Sequence, residues 1–185
     1  MKWASILLTV IECFVVADGV SAQRYLPGMR GLQFTAGIAP ENGCFSGVAF
    51  SQYTKHADRW VFGAEYFEKR HPYENIHIPQ SQFTAEGGYF LNFLSDPHKI
   101  IFVSIGASVL MGYETINWNK KLLFNGARVD NSDVFLYGGA ITLECETYLT
   151  NRLVVLANVR ERLLGGSSVG LLNTQLGIGL KFIIN

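Results

Sequence analysis

Seven ionisable residues, Glu65, Glu86, Glu144, Glu146, Arg160, Arg162 and Lys181, share the small-residue side of segments that alternate along the chain. Two chemistries are open to such a set. Carboxylates gathered in a cleft can exchange protons as acid and base, or line a path for ions. Acids and bases enclosed together can instead pair with one another, because an isolated buried charge is very costly. For a narrow, filled interior the second reading is the simpler, and it predicts a structural charge network. Under it, replacing Arg160 with Met strands a carboxylate and destabilises the fold.

Other reactive side chains give weaker signals. His56, His71, His77 and His98 show no metal-ligand spacing, and all are expected in turns or loops. His71, Ser81 and Glu74 come nearest to a nucleophile with its base and acid, but no nucleophile-elbow sequence surrounds a serine. The paired glycines Gly87-Gly88, Gly138-Gly139 and Gly165-Gly166 precede no helix and make no phosphate loop; in strands they ease bending and bulges. No catalytic, cofactor-binding or metal-binding residue is therefore assigned.

The elements that must position these groups are strands. Leu32, Phe34, Ala36 and Ile38 alternate with Gln33, Thr35 and Gly37, and Trp60, Phe62, Ala64 and Tyr66 alternate with Val61, Gly63 and Glu65. The same period of two runs through Phe83 to Phe93, Ile101 to Tyr113, Val134 to Tyr148, Arg152 to Leu163 and Gln175 to Ile184, with a weaker strand at Cys44 to Tyr53. Eight strands and no convincing helix make an all-β chain. Tight connections at Lys55-His56-Ala57, Ser95-Asp96-Pro97-His98 and Thr150-Asn151 intersperse with longer ones at Lys69 to Gln80, Glu114 to Asp133 and Leu164 to Leu172; Pro40-Glu41-Asn42-Gly43 alone breaks that parity. Short turns at one end and long loops at the other describe an eight-stranded antiparallel up-and-down β-barrel of outer-membrane type.

Composition decides which face points outward. Of 185 residues, 49% are hydrophobic and only 16% charged, so a surface rich in Lys and Glu, as a soluble barrel needs, is not available. The polar face is mostly Gly, Ser, Thr and Asn, which suits a lumen filled by side chains, while Trp60, Tyr66, Tyr89 and Phe93 on the apolar face suit an interfacial girdle. Fifteen basic residues balance fifteen acidic ones, which argues against a phosphate-neutralising nucleic-acid binder. In such a barrel Cys44 and Cys145 lie near opposite ends, separated by about 25 Å, so no disulfide is expected.

Lys2, the apolar run Ile6 to Val16 and the small-residue site Val20-Ser21-Ala22 read as a cleaved secretory signal peptide. The longest uncharged stretch, Leu163 to Leu180, holds too many Gly, Ser, Asn and Gln residues for a spanning helix. The expected organisation is a signal peptide at 1–22, a short periplasmic segment at 23–30 and one barrel domain at 31–185.

Several strings of the chain look familiar together: Gln23-Arg24 with Leu26-Pro27-Gly28-Met29, Trp60-Val61-Phe62-Gly63-Ala64-Glu65-Tyr66, Gln82 to Tyr89, Gly112-Tyr113-Glu114, Tyr137 to Glu144, and Gly179 to Asn185. In these the chain resembles the TraO family of conjugative-transposon transfer proteins of Bacteroides-type elements. The resemblance implies a non-enzymatic outer-membrane component of a DNA-transfer apparatus, with other apparatus proteins and outer-membrane lipid as its neighbours. It carries over no catalytic residue and no cofactor. A direct nucleic-acid contact or a small-molecule substrate is not expected. The alternative is a small outer-membrane enzyme or ligand-binding barrel acting on lipid or carbohydrate, and a soluble periplasmic barrel is a third possibility.

Overall fold

The computed structural model describes residues 27–73, 76–116, 134–166 and 172–184, with backbone alone at 70–73, 76–79 and 116. The expected signal peptide, the first half of the 23–30 segment, and the loops at 117–133 and 167–171 lie outside the described residues.

Eight strands in those residues close into one antiparallel barrel in chain order. They are β1 (Arg30–Ala39), β2 (Gly43–Tyr53), β3 (Arg59–Tyr73), β4 (Ile76–Ser95), β5 (Ile101–Ile116), β6 (Val134–Tyr148), β7 (Leu153–Gly165) and β8 (Leu172–Ile184). Each pairs with its sequence neighbour, and β1 closes the circle on β8. One row of paired residues can be followed around the wall: Arg30, Gln52, Trp60, Tyr89, Ala107, Ile141, Glu161 and Thr174. On closing, Arg30 meets Ile184 instead of Thr174, a stagger of ten residues. Eight strands with that stagger tilt by about 40° from the barrel axis.

The alternation read from the sequence sets the two faces. Phe34, Phe62, Val109, Phe135, Ile141 and Ile178 stand exposed on the outside, Ile178 at 72% of its full accessibility. The acids and bases with even or odd parity opposite to them are enclosed. This wall is apolar outward and polar inward, the arrangement of a barrel surrounded by hydrocarbon. An outer row of aromatic rings, Tyr66, Phe83, Tyr113 and Phe135, spans β3 to β6 towards the loop end. At the turn end Trp60 meets Tyr89 edge-on, with centroids 4.8 Å apart.

Three features differ from the sequence expectation. The stretch from Lys69 to Gln80 is not a long loop: β3 and β4 continue to pair as far as Tyr73 and Ile76, so His71 and His77 sit in strands. Pro72 and Pro79 suggested a loop because proline donates no ladder hydrogen bond. They are accommodated because β3 beyond Glu68 has no β2 partner and β4 before Gln80 has no β5 partner. Second, β4 carries a bulge between Asn92 and Leu94, where the Asn92 N–H donates to Asp58 Oδ1 at 2.9 Å.

Third, the interior is not uniformly small and polar. At the turn end Met29, Tyr53, Ala57, Phe102, Tyr148, Val154, Leu156 and Ile183 form a buried apolar plug. Leu110, Leu136, Ala140 and Leu164 form a second cluster, and Ala49, Val61 and Phe90 a third. The alternation already sets Val61, Phe90, Phe102, Leu110 and Ala140 on the inner face, but it does not give the clusters, because their members come from different strands and meet only when the barrel closes.

Candidate functional site

All seven residues singled out in the sequence face the lumen, and the structure sorts them into two tiers. The upper tier, towards the loop end, joins β3, β4, β7 and β8. Arg160 Nη1 reaches Glu65 Oε2 at 3.0 Å, and its Nη2 reaches Glu86 Oε2 at 2.5 Å. Arg160 Nε donates to Thr142 Oγ1 at 3.1 Å, which fixes the plane of the guanidinium. Arg162 Nη1 donates to Glu65 Oε1 at 2.9 Å, and Gln175 Nε2 donates to the same oxygen at 3.0 Å. The Arg162 guanidinium also lies over the Phe67 ring, 5.7 Å from its centroid.

The lower tier, just above the apolar plug, contains Glu144, Glu146 and Lys181, together with Arg59, a residue that the sequence reading missed. Arg59 Nη2 donates to Glu144 Oε1 at 2.5 Å, and its Nη1 lies 3.5 Å from Glu146 Oε2. Lys181 pairs with Glu146 and lies 3.9 Å from Glu144. Tyr53 joins both sides: its hydroxyl donates to Glu146 Oε1 at 3.1 Å and accepts from Lys181 Nζ at 3.0 Å. Arg59 Nη1 also donates to Ser104 Oγ at 3.1 Å. Its guanidinium stacks over Phe90 at 4.9 Å from the centroid, and Phe90 in turn covers Gly106. A Cβ at Gly106 would stand 2.6 Å from three ring atoms, so this close approach needs glycine.

Arg59 escaped the sequence reading because the strand seemed to begin at Trp60, its strongest outward residue. Extending the same parity one residue back would have found it. With Arg59 included, each tier holds two acids and two bases and is neutral by itself. Every member is buried or nearly so; Arg59, Glu146 and Lys181 expose no side-chain surface. Neutral, mutually bonded groups are what a low-dielectric interior tolerates. Between the tiers, the space bounded by Phe45, Ala49, Glu65, Glu86, Phe90, Glu144 and Arg160 is about 20 Å³, room for roughly one water molecule.

Polar pairs also mark the loop-end rim. Lys69 pairs with Glu41, in a turn where Glu41 and Asn42 both have positive φ, and Gln82 Nε2 donates to Glu114 at 2.8 Å. Ser81 Oγ is within 3.1 Å of the Tyr66 hydroxyl, while Glu74 and the His71 side chain lie outside the described residues. Among the described residues no three His, Cys, Asp or Glu side chains group as a metal site. Cys44 and Cys145 are free thiols on β2 and β6.

Comparison with known structures matches the architecture. Neisserial surface protein A resembles the chain with a TM-score of 0.54 at 11% identity, over 83% of this chain and 94% of that one. The N-terminal β-barrel domain of Pseudomonas aeruginosa OprF matches at 12% identity and a TM-score of 0.46, over 84% of this chain and 98% of that one. A de novo designed transmembrane β-barrel matches at 10% identity and a TM-score of 0.46, over 88% and 100%. At such identities the likeness to the Neisserial protein speaks for the fold alone. No curated protein matches the chain in sequence. A family model, described as conjugative transposon protein TraO, matches residues 26–184, nearly the whole chain. By that match, this outer-membrane-type barrel belongs to the TraO family of conjugative transposon proteins.

Proposed function

We propose that this chain is a non-enzymatic outer-membrane subunit of a conjugative-transposon DNA-transfer apparatus, acting as an anchor and a contact for other subunits and not as a conduit. One observation carries the reading: two neutral charge tiers and an apolar plug fill the lumen. A barrel filled in this way passes neither DNA nor protein. Its contribution must come from its rims and outer wall. The seven lumen residues and Arg59 are, on this reading, a structural core.

Fractionation of donor cells, gel mobility with and without boiling, and a mating assay test the proposal together. The expected result is a heat-shifted band in the outer membrane, lost transfer on deletion, and recovered transfer with a variant whose tiers are replaced by apolar residues of matched volume. A soluble periplasmic band without a heat shift overturns the location. A folded, membrane-inserted tier variant that fails to restore transfer overturns the structural role of the charges.

A further inference from the structure

Among the described residues, the charges outside the lumen are distributed unevenly along the barrel axis. At the turn end Arg30, Lys55, Lys99 and Arg152 are all exposed, as are His56 and His98. Their acidic neighbours Asp58 and Asp96 are only half-exposed and are engaged locally. Asp58 accepts from the Asn92 N–H at 2.9 Å, and Asp96 Oδ2 accepts from the His98 N–H at 3.0 Å. None of the four bases forms an ion pair among the described residues. Among the described residues, the outer wall towards the loop end carries Glu68, which accepts from the Tyr66 hydroxyl, and Glu161, which accepts from Thr174.

We propose that the turn-end rim is a cationic collar that binds the phosphates of anionic phospholipids in the leaflet around it. The inference rests on the membrane-inserted reading of the barrel. Distribution favours lipid over a protein partner. One base stands at each of the three turns and one at the start of β1, so they encircle the rim and do not crowd one flank. Trp60 and Tyr89, which meet edge-on at the same end of the barrel, are rings of the type that settles at the headgroup level. Bases beside such rings reach phosphate oxygens while their aliphatic stems stay against the apolar wall.

The test reconstitutes the chain in phosphatidylcholine vesicles carrying either spin-labelled phosphatidylglycerol or spin-labelled phosphatidylcholine, and measures the motionally restricted lipid by electron paramagnetic resonance. The expected result is about fivefold preference for phosphatidylglycerol, roughly the weight of one base at an anionic surface. The preference weakens with salt and disappears in the quadruple variant Arg30→Gln, Lys55→Gln, Lys99→Gln, Arg152→Gln, whose heat-shifted gel band shows that it still folds. Equal restriction of the two lipids by the native chain, or a preference that survives in the quadruple variant, overturns the proposal. Poly-glutamate that binds the native rim without any lipid preference assigns the collar to an acidic protein instead, and also overturns it. Failure to restrict either lipid is a different result: it refutes the inserted reading itself, and the collar falls with it.

Discussion

Replacing Arg160 with Met gives the sharpest test of the upper tier. Its side chain is 13% exposed and holds Glu65 at 3.0 Å and Glu86 at 2.5 Å. Without it the two carboxylates fare differently. Glu65 keeps Arg162 at 2.9 Å and Gln175 at 3.0 Å. Glu86 loses the one cation that it pairs with among the described residues, and its side chain is only 10% exposed. Removing one partner of a buried pair costs about 3–5 kcal/mol, and residual access to solvent places this case near 3. That is more than a hundredfold in the unfolding equilibrium. The assay is a urea titration of the barrel in detergent or vesicles, with the folded fraction read from the heat-shifted band. Adding Glu86→Gln removes the stranded charge and should recover at least half of the loss. Arg162→Met should cost less, since Glu65 retains Arg160 and two of the Arg162 nitrogens make no hydrogen bond among the described residues. An Arg160→Met midpoint equal to the native one, or a double variant no better than the single, would refute the argument.

Three further outcomes are expected. Ile178→Arg, at a position 72% exposed on the outer wall, should cost about 2–4 kcal/mol in a bilayer, whereas a wall facing water would tolerate it with no change in the urea midpoint. Gly106→Ala drives a methyl into the Phe90 ring and should lose about 1–3 kcal/mol by overpacking; adding Phe90→Leu should return part of it, and equal losses in both variants would sink the stacking argument. The intact mass of the unreduced chain should keep both thiol hydrogens of Cys44 and Cys145, and a deficit of two hydrogens would mean that the strand order is wrong.

Much of the barrel is legible in the sequence because outward and inward residues differ so strongly in type. In β8, Leu176, Ile178, Leu180 and Phe182 leave no choice of face, and Lys181 between them can only point inward. Where both parities are apolar the pattern goes silent. The alternation places Phe102 and Leu110 of β5 on the inner face, but Val154 and Leu156 on β7 look no different from their outward-facing neighbours, so the plug shows only in part. Strand ends were hidden for another reason. Pro72 and Pro79 are turn signals in general, yet each lies where its strand pairs on one side alone among the described residues. The pairing of particular acids with particular bases depends on the ten-residue stagger, which brings β3 and β7 side chains to one level; no local window contains that number.

The neutrality of each tier constrains how this sequence can drift. A lost acid at Glu65 is not answered by a lost base at Lys181, because the two belong to different bonded sets. Tolerated changes must be correlated within a quartet, with Arg59, Glu144, Glu146 and Lys181 varying as one unit and Glu65, Glu86, Arg160 and Arg162 as another. Residues 97 positions apart along the chain, Glu65 and Arg162, therefore inherit one another's history. In an alignment of TraO sequences, these two blocks would stand out as separate groups of covarying columns.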